Sequence, residues 1–228
     1  MDTLNAVDTS SWIVIPLYNE ETVIGEVVKE LRAQFKYVVC IDDGSADNSA
    51  TIAEEAGAIV IKHPINLGQG AALQTGIEYA LQNKECEYIV TFDADGQHQL
   101  IDAQNMLSLA REKKLGMVFG SRFLDSRTKP GFAKKIILKT AVWVSNLMSP
   151  IKLTDAHNGL RVLSRQAAEN LDLKQDRMAH ASEIVVQLGK TQLPWAEYPV
   201  EVLYTEYSKS KGQPIINAVN ILVELIVK

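Results

Sequence analysis

The sequence predicts one α/β fold: a mainly parallel sheet with helices on both faces, followed by a less regular C-terminal extension. Three observations predict it. Short apolar runs alternate with segments of helical spacing as far as Gly120. Polar clusters, Asn19-Glu20, Asp42-Asp43 and Asp93-Ala94-Asp95, follow directly on three of those runs. The 228 residues are 46% hydrophobic and 22% charged, enough apolar material for a sizeable core.

The elements follow in order. Trp12 to Pro16 reads as a strand, and Glu20 to Gln34 carries Val23, Ile24, Val27, Val28 and Leu31 at helical spacing. Tyr37 to Ile41 is a second strand, stopped by Asp42-Asp43-Gly44-Ser45. Asp47 or Ser49 can cap a helix that runs to about Ala56. Ala58 to Lys62 is a third strand. A Gly-rich turn, Asn66 to Gly70, then leads into a helix from about Ala71 to Asn83. Tyr88 to Phe92 is a strand ending at Asp93, and a helix near Leu100 to Lys113 and a strand at Met117 to Gly120 complete the series. Ligands of such sheets sit beyond the carboxyl ends of the strands, so the acidic clusters share one rim.

The last third is less regular. Phe132 to Met148 is amphipathic or wholly apolar, Asp155 to Val162 is polar then apolar, and Leu193 to Tyr204 reads as strand material around Pro194 and Pro199. Ser208 to Gln213 is a basic loop, and Ile215 to Val227 is an apolar helical segment.

Charge and cysteine content exclude some classes. A net charge of −5 gives no electrostatic footprint for nucleic acid. Cys40 and Cys86 lack metal-ligand spacing, and a reducing compartment is expected. Met1 to Ser11 has no apolar signal core, and no stretch reaches the ~20 apolar residues that cross a bilayer. The expected location is the cytoplasm, or the inner face of the cell membrane by peripheral attachment.

Several segments carry chemistry together: Pro16-Leu17-Tyr18-Asn19-Glu20, Asp42-Asp43-Gly44-Ser45-Ala46-Asp47-Asn48-Ser49, Asn66-Leu67-Gly68-Gln69-Gly70-Ala71-Ala72, Asp93-Ala94-Asp95-Gly96-Gln97-His98 and Gly120-Ser121-Arg122-Phe123. In order and spacing they resemble glycosyltransferase family 2, the inverting family with the GT-A (Rossmann-like) fold. Within it, the pattern is most similar to polyprenyl-phosphate sugar transferases of the dolichyl-phosphate mannose synthase type. Asp155 to Arg161 resembles that group's Asp-x-x-Ser-Gly-Phe-Arg segment, from which His157 and Asn158 depart. No counterpart of the group's long C-terminal membrane helices is expected from these residues.

The resemblance implies a metal-dependent hexosyl transfer from a UDP- or GDP-sugar to a polyprenyl phosphate or a lipid-linked glycan. Residues 1–125 would form the nucleotide-sugar half, and 126–228 the acceptor-side and C-terminal part of the same domain. Asp93 and Asp95 can offer oxygens to Mg²⁺ or Mn²⁺ while a diphosphate supplies the others. The bland alternative for both is a helix N-cap. In the family the first Asp acts through water or ribose and the second binds metal directly, and Gln97 matches a further ligand position. Pro16, Tyr18, Glu20, Asp42, Asp93 and Ala94 fall on nucleotide-binding positions. Tyr18 offers a ring face and Glu20 an acceptor. Asp43 orders the turn with Gly44 and Ser45. The Asn66 to Gly70 turn is either a phosphate loop or a place of close packing.

Arg122 suits a phosphate, with Arg161, Lys209 and Lys211 as further candidates. In similar enzymes a Ser-Lys loop near the C-terminus closes over the phosphates. Asp155 is the candidate base or acceptor-side carboxylate, and Glu183 competes with it. Phe132 to Met148, with Lys134, Lys135, Lys139 and Trp143, reads equally as a membrane-surface helix or as a core or dimer helix. Ile215 to Val227 is a packing, oligomer or interfacial helix. Two other functions compete: a sugar-phosphate nucleotidyltransferase, against which Pro16 to Glu20 argues, and a non-catalytic nucleotide-sugar-binding module.

Overall fold

The computed structural model describes residues 7–125, 127–128, 140, 142–143, 146–147, 149–175 and 180–203. Among the described residues seven strands form one sheet in the order β3-β2-β1-β4-β6-β5-β7. They are β1 (Asp8–Leu17), β2 (Phe35–Asp42), β3 (Ile59–Lys62), β4 (Tyr88–Thr91), β5 (Met117–Ser121), β6 (Arg161–Ser164) and β7 (Trp195–Pro199). The helices are α1 (Ile24–Arg32), α2 (Ser49–Glu55), α3 (Gln69–Leu81), α4 (Leu100–Lys113), α5 (Arg165–Ala168) and α6 (His180–Lys190).

Period-two alternation on β1 explains why both faces are covered. Ile13, Ile15 and Leu17 belong to the core shared with Ile24, Val27, Val28 and Leu31 of α1 and with Met106 and Leu107 of α4. Trp12 and Val14 face the opposite core, with Leu73 and Ile77 of α3 and Ile184, Val185 and Leu188 of α6. A strand buried on both faces has to be a near-continuous apolar run, as β1 is. Each fully buried Ile or Leu contributes about 1.5–3 kcal/mol by area.

β1 to β5 follow the expected alternation, and β1, β2, β3 and β4 pair in parallel. β6 enters antiparallel between β4 and β5, with Arg161 opposite both Thr91 and Phe119. That insertion brings the 155–161 segment beside the end of β4. β7 pairs in parallel with β5.

Two N-terminal boundaries differ from the sequence reading by four residues each. β1 starts at Asp8 rather than Trp12, because Asp8 pairs with Phe35 and its carboxylate takes Arg111 Nη2 at 2.8 Å. α1 starts at Ile24 rather than Glu20, because the preceding backbone is tied elsewhere. Glu20 N donates to Ser49 Oγ at 2.7 Å and Glu21 N to Asp47 Oδ2 at 3.3 Å. Ser49 and Asp47 therefore clamp the first loop to the second, and α2 is capped by Asn48 without a side-chain cap bond.

Among the described residues no helix is long and apolar enough to cross a membrane. The segment Phe132 to Met148 is described only at 140, 142–143 and 146–147, which are helical. There Val142 is buried while Trp143 and Leu147 are 63% and 65% exposed. Lys134, Lys135, Lys139, Lys209, Lys211 and Ile215 to Val227 lie outside the described residues.

Candidate active site

The rim at the carboxyl ends of β1, β2 and β4, which are neighbours in the sheet, gathers Pro16, Tyr18, Glu20, Asp42, Asp93 and Asp95. Pro16 is half-buried on β1 beside Ile41, and Tyr18 beyond the strand is 48% exposed. Asn19 has φ 53°, takes Ala46 N on Oδ1 at 2.8 Å and donates its own N–H to Ser45 Oγ at 2.9 Å. Asp42, 5% exposed, accepts from Ser45 N at 3.3 Å. The loops after β1 and β2 are thus one hydrogen-bonded unit that holds Glu20 toward the end of β4.

Asp43 does a different job from the one expected. Its carboxylate accepts Leu67 N at 2.9 Å, Gly68 N at 2.7 Å and His63 Nδ1 at 2.8 Å. Two of the N–H groups that a phosphate loop would offer, those of Leu67 and Gly68, are therefore taken by Asp43. The neighbouring Gly70 has no room for a Cβ, which would lie 2.0 Å from Gln175 O. Close packing explains this turn.

Asp93 follows β4, with its side chain 31% exposed. His98 Nε2 lies 2.8 Å from its Oδ2, and Gln69 Nε2 lies 3.3 Å from its Oδ1. A carboxylate can only accept, so His98 carries its proton on Nε2. Burial opposes the ionisation of Asp93. The His98 hydrogen bond, with the field of His98, Arg161 and His180, outweighs burial and holds its pKa below the usual carboxylate value. Asp95 is the reverse case. Burial, then the charge of Asp93 and more weakly that of Glu20, pushes it up to about 6, although Gln97 N bonds its Oδ1 at 3.0 Å. Two or three carboxylates crowded at one rim repel one another, and hard oxygen donors of this kind fit a divalent Mg²⁺ or Mn²⁺. Among the described residues no group of three or more His, Cys, Asp or Glu could hold a metal ion. Ala94 is buried between the two aspartates.

A second group sits beside the first. Asp155 is 2% exposed, and its Oδ2 takes Arg122 Nε at 2.6 Å and Arg122 N at 3.2 Å. Its Oδ1 has no partner among the described residues. Arg122 Nη2 also reaches His157 O at 3.3 Å. Arg122 and Asp155, expected as phosphate ligand and base, are thus paired with each other. Arg161, 2% exposed on β6, donates to Ala156 O at 3.4 Å. Burial lowers its pKa to about 10 against the fields of Asp93 and Asp155. Its charge is thus felt by both Asp93 and Asp155. Burial also pushes His157 down to about 4, so its ring is neutral near pH 7, with Nε2 3.4 Å from Ser182 Oγ.

Glu183 is not part of this group. Its carboxylate accepts Gln175 N at 2.9 Å and Lys174 N at 3.1 Å, pinning the segment before α6.

Three contributors escaped the sequence reading. His98 was quoted within its motif without a role, and Gln69 was assigned to a turn. Gly159 matters because a Cβ there would lie 2.1 Å from Asp93 Oδ2. Its backbone is drawn in by Thr91 Oγ1, which donates to Gly159 O at 2.6 Å. The tight turn at Gly96 was the one local signal that could have pointed to His98. Gln69 and Gly159 reach Asp93 across 24 and 66 residues, and spacing carries no trace of such contacts.

Comparison with known proteins bears on the family and the fold. Residues 12–172 match Glycosyl transferase family 2. An uncharacterised protein of Methanocaldococcus jannaschii is 38% identical over 222 residues, covering 95% of this chain and 91% of that one. The UDP-N-acetylglucosamine–dolichyl-phosphate N-acetylglucosaminyltransferase of Methanococcus voltae is 30% identical, covering 96% of each. Glucosyl-3-phosphoglycerate synthase of Mycobacterium tuberculosis, solved with Mg²⁺ and UDP, aligns with a TM-score of 0.68. It covers 95% of this chain and 79% of that one at 14% identity, a likeness of fold. The nucleotidyltransferase and binding-module alternatives give way to these matches: the chain is a glycosyltransferase, belonging to family 2 and built on the GT-A fold.

Proposed function

We propose that this chain moves a hexosyl group, with inversion, from a UDP- or GDP-sugar to a polyprenyl phosphate or lipid-linked glycan at a membrane surface. The observation that carries the reading is the convergence of Tyr18 and Glu20, Asp42, and Asp93 with Asp95 at the ends of three adjacent strands. The relative from Methanococcus voltae, which acts on dolichyl phosphate and matches over nearly the whole chain, supports the acceptor class.

Tyr18 stacks on the base, while Glu20 and Asp42 accept from base or ribose donors. Asp95 and Gln97 would hold the metal, and Asp93, fixed by His98 and Gln69, would act through water or ribose. A divalent ion bound there offsets the negative charge that develops on the leaving diphosphate. An acceptor oxygen forms the new bond to the anomeric carbon as the bond to the diphosphate breaks, and the diphosphate leaves with the electron pair. A phosphate acceptor is already ionised and needs no base. That suits Asp155, whose pairing with Arg122 favours orienting the site over taking a proton. Arg122 faces the acceptor phosphate and Arg161 sets the field around it, with Lys209 and Lys211 as further candidates for phosphate binding. Exposed Trp143 and Leu147 suit contact with the lipid surface.

The test is a melting curve with UDP or GDP, with and without Mn²⁺, followed by transfer from the matching sugar nucleotide to a short-chain polyprenyl phosphate. Saturation at 100 times the dissociation constant stabilises by about 2.7 kcal/mol. Absence of any metal-dependent nucleotide shift would falsify the donor assignment. Transfer that ignores the polyprenyl phosphate would remove the acceptor assignment alone.

A further inference from the structure

Four consecutive backbone N–H groups just beyond β7 bind four separate parts of the fold. Val200 N donates to Ser121 O at 3.0 Å and Leu203 N to Gln97 O at 2.9 Å. Between them, Glu201 N donates to Asp102 Oδ2 at 2.8 Å and Val202 N to Thr128 Oγ1 at 2.9 Å. The strap 200–203 thereby joins the end of β5, the turn after it, the first turn of α4 and the turn that carries Asp95 and Gln97. Its apolar side chains anchor it, with Val200 0% and Val202 6% exposed.

Arg127 and Asp102 fix where the strap lies. Asp102 is 1% exposed, and its two oxygens are divided between Glu201 N and Arg127 Nη1, the latter at 3.3 Å. The Arg127 fork also donates to Asp125 Oδ2 at 2.7 Å and to Pro199 O. A second tie runs from Gln99 Nε2 to Glu201 Oε2 at 3.0 Å. The chain of contacts ends in the site: Leu203 N holds Gln97 O, and Gln97 N holds Asp95 Oδ1 at 3.0 Å.

We infer that Asp102 and Arg127 are positioning residues for the donor site, acting through the 200–203 strap on the turn of Asp95 and Gln97 without touching substrate. The inference rests on reading that turn as the donor site. An Asp in the first turn of α4 is favourable through the helix dipole in any case. A role limited to the helix would change stability alone.

Arg111 provides the control. It lies in the last turn of the same helix, away from the site, and pairs with Asp8 at 2.8 Å. Its side chain is 40% exposed, as is that of Arg127. In the full chain, Arg127→Gln, Arg127→Lys and Arg111→Gln are compared by amide hydrogen exchange without ligand, by melting-curve titration with UDP or GDP plus Mn²⁺, and by donor KM and kcat. Arg127→Gln is expected to speed exchange at Gln97 N and Leu203 N. It should also weaken nucleotide binding and raise donor KM by roughly 3- to 10-fold, with kcat within about twofold. Arg127→Lys recovers part of the loss, and Arg111→Gln lowers Tm without either effect. The inference is overturned if Arg127→Gln leaves both exchange and nucleotide affinity at the level of Arg111→Gln. If the unmodified chain shows no nucleotide shift, the donor-site reading fails first. The exchange comparison then decides the strap alone: faster exchange at Gln97 and Leu203 in Arg127→Gln but not in Arg111→Gln supports it, and equal exchange overturns it.

Discussion

His98 Nε2 lies 2.8 Å from Asp93 Oδ2, and this contact orients the first aspartate of the acidic pair. With Gln69 on the other oxygen, Asp93 is held from two sides. Asp95 has one backbone hydrogen bond on Oδ1 and a raised pKa. Two carboxylates separated by one residue are thus made unequal by their surroundings, one pinned with its pKa lowered, the other with its pKa raised.

Gly159→Ala should impair activity more than stability. The new Cβ would meet Asp93 Oδ2 at 2.1 Å, and that carboxylate cannot swing aside without leaving His98 and Gln69. Turnover should fall by roughly tenfold or more, since small misplacements at a reacting centre are costly. The Tm should fall by only about 2–4 °C. Steady-state kinetics alongside melting curves check this, and a large Tm loss with normal turnover would count against it.

Asp95→Asn should separate binding from folding in the opposite sense. It removes the charge that Asp93 and Glu20 repel, so the ligand-free Tm is expected to stay level or rise by about 2–4 °C at pH 7.5. The Mn²⁺-dependent part of the nucleotide shift should vanish. Melting curves with nucleotide, with and without metal, read both effects.

Asp155→Asn and Glu183→Gln should part company. The first leaves Arg122 buried beside a neutral group, costing about 3–5 kcal/mol, with loss of transfer. The second keeps an acceptor for Lys174 N and Gln175 N, costing about 1 kcal/mol with transfer retained. Urea unfolding and a transfer assay on both variants give the comparison.

Stability should fall in acid partly through His157. Its folded pKa is depressed by burial from 6.5 to about 4. Above pH 6.5 the ring is neutral in the folded and the unfolded chain. As pH falls from there to about 4, the unfolded chain gains a proton that the folded one refuses, and stability is lost. The loss is on the order of 2 kcal/mol, allowing for partial exposure. His157→Gln should flatten that part of the curve, as urea unfolding at pH 7, 5.5 and 4.5 would register.

Much of the donor rim was legible in the chain. The elements from β1 to β5 announce themselves because a strand buried on both faces needs an unbroken apolar run, and Ile13, Ile15, Val39 and Ile41 supply one. Asp42, Asp93 and Asp95 were readable because each follows such a run directly. β6 was harder, since Arg161 opens it and a buried cation breaks the apolar pattern. The true tasks of Asp43 and Glu183 were hidden, because each binds backbone N–H groups that any residue could have presented.

The succession of elements as far as β5, the acidic residues after the strands and the resemblance to the family were legible in the chain alone, because periodicity and the placing of carboxylates after strands are local properties. What the tertiary structure decided is who touches whom: Arg122 with Asp155, Gly159 against Asp93, and the 200–203 strap on Gln97. Those contacts arise when β6 inserts antiparallel beside β4 and brings distant segments to one edge. Spacing along the chain does not encode a distance that only packing creates.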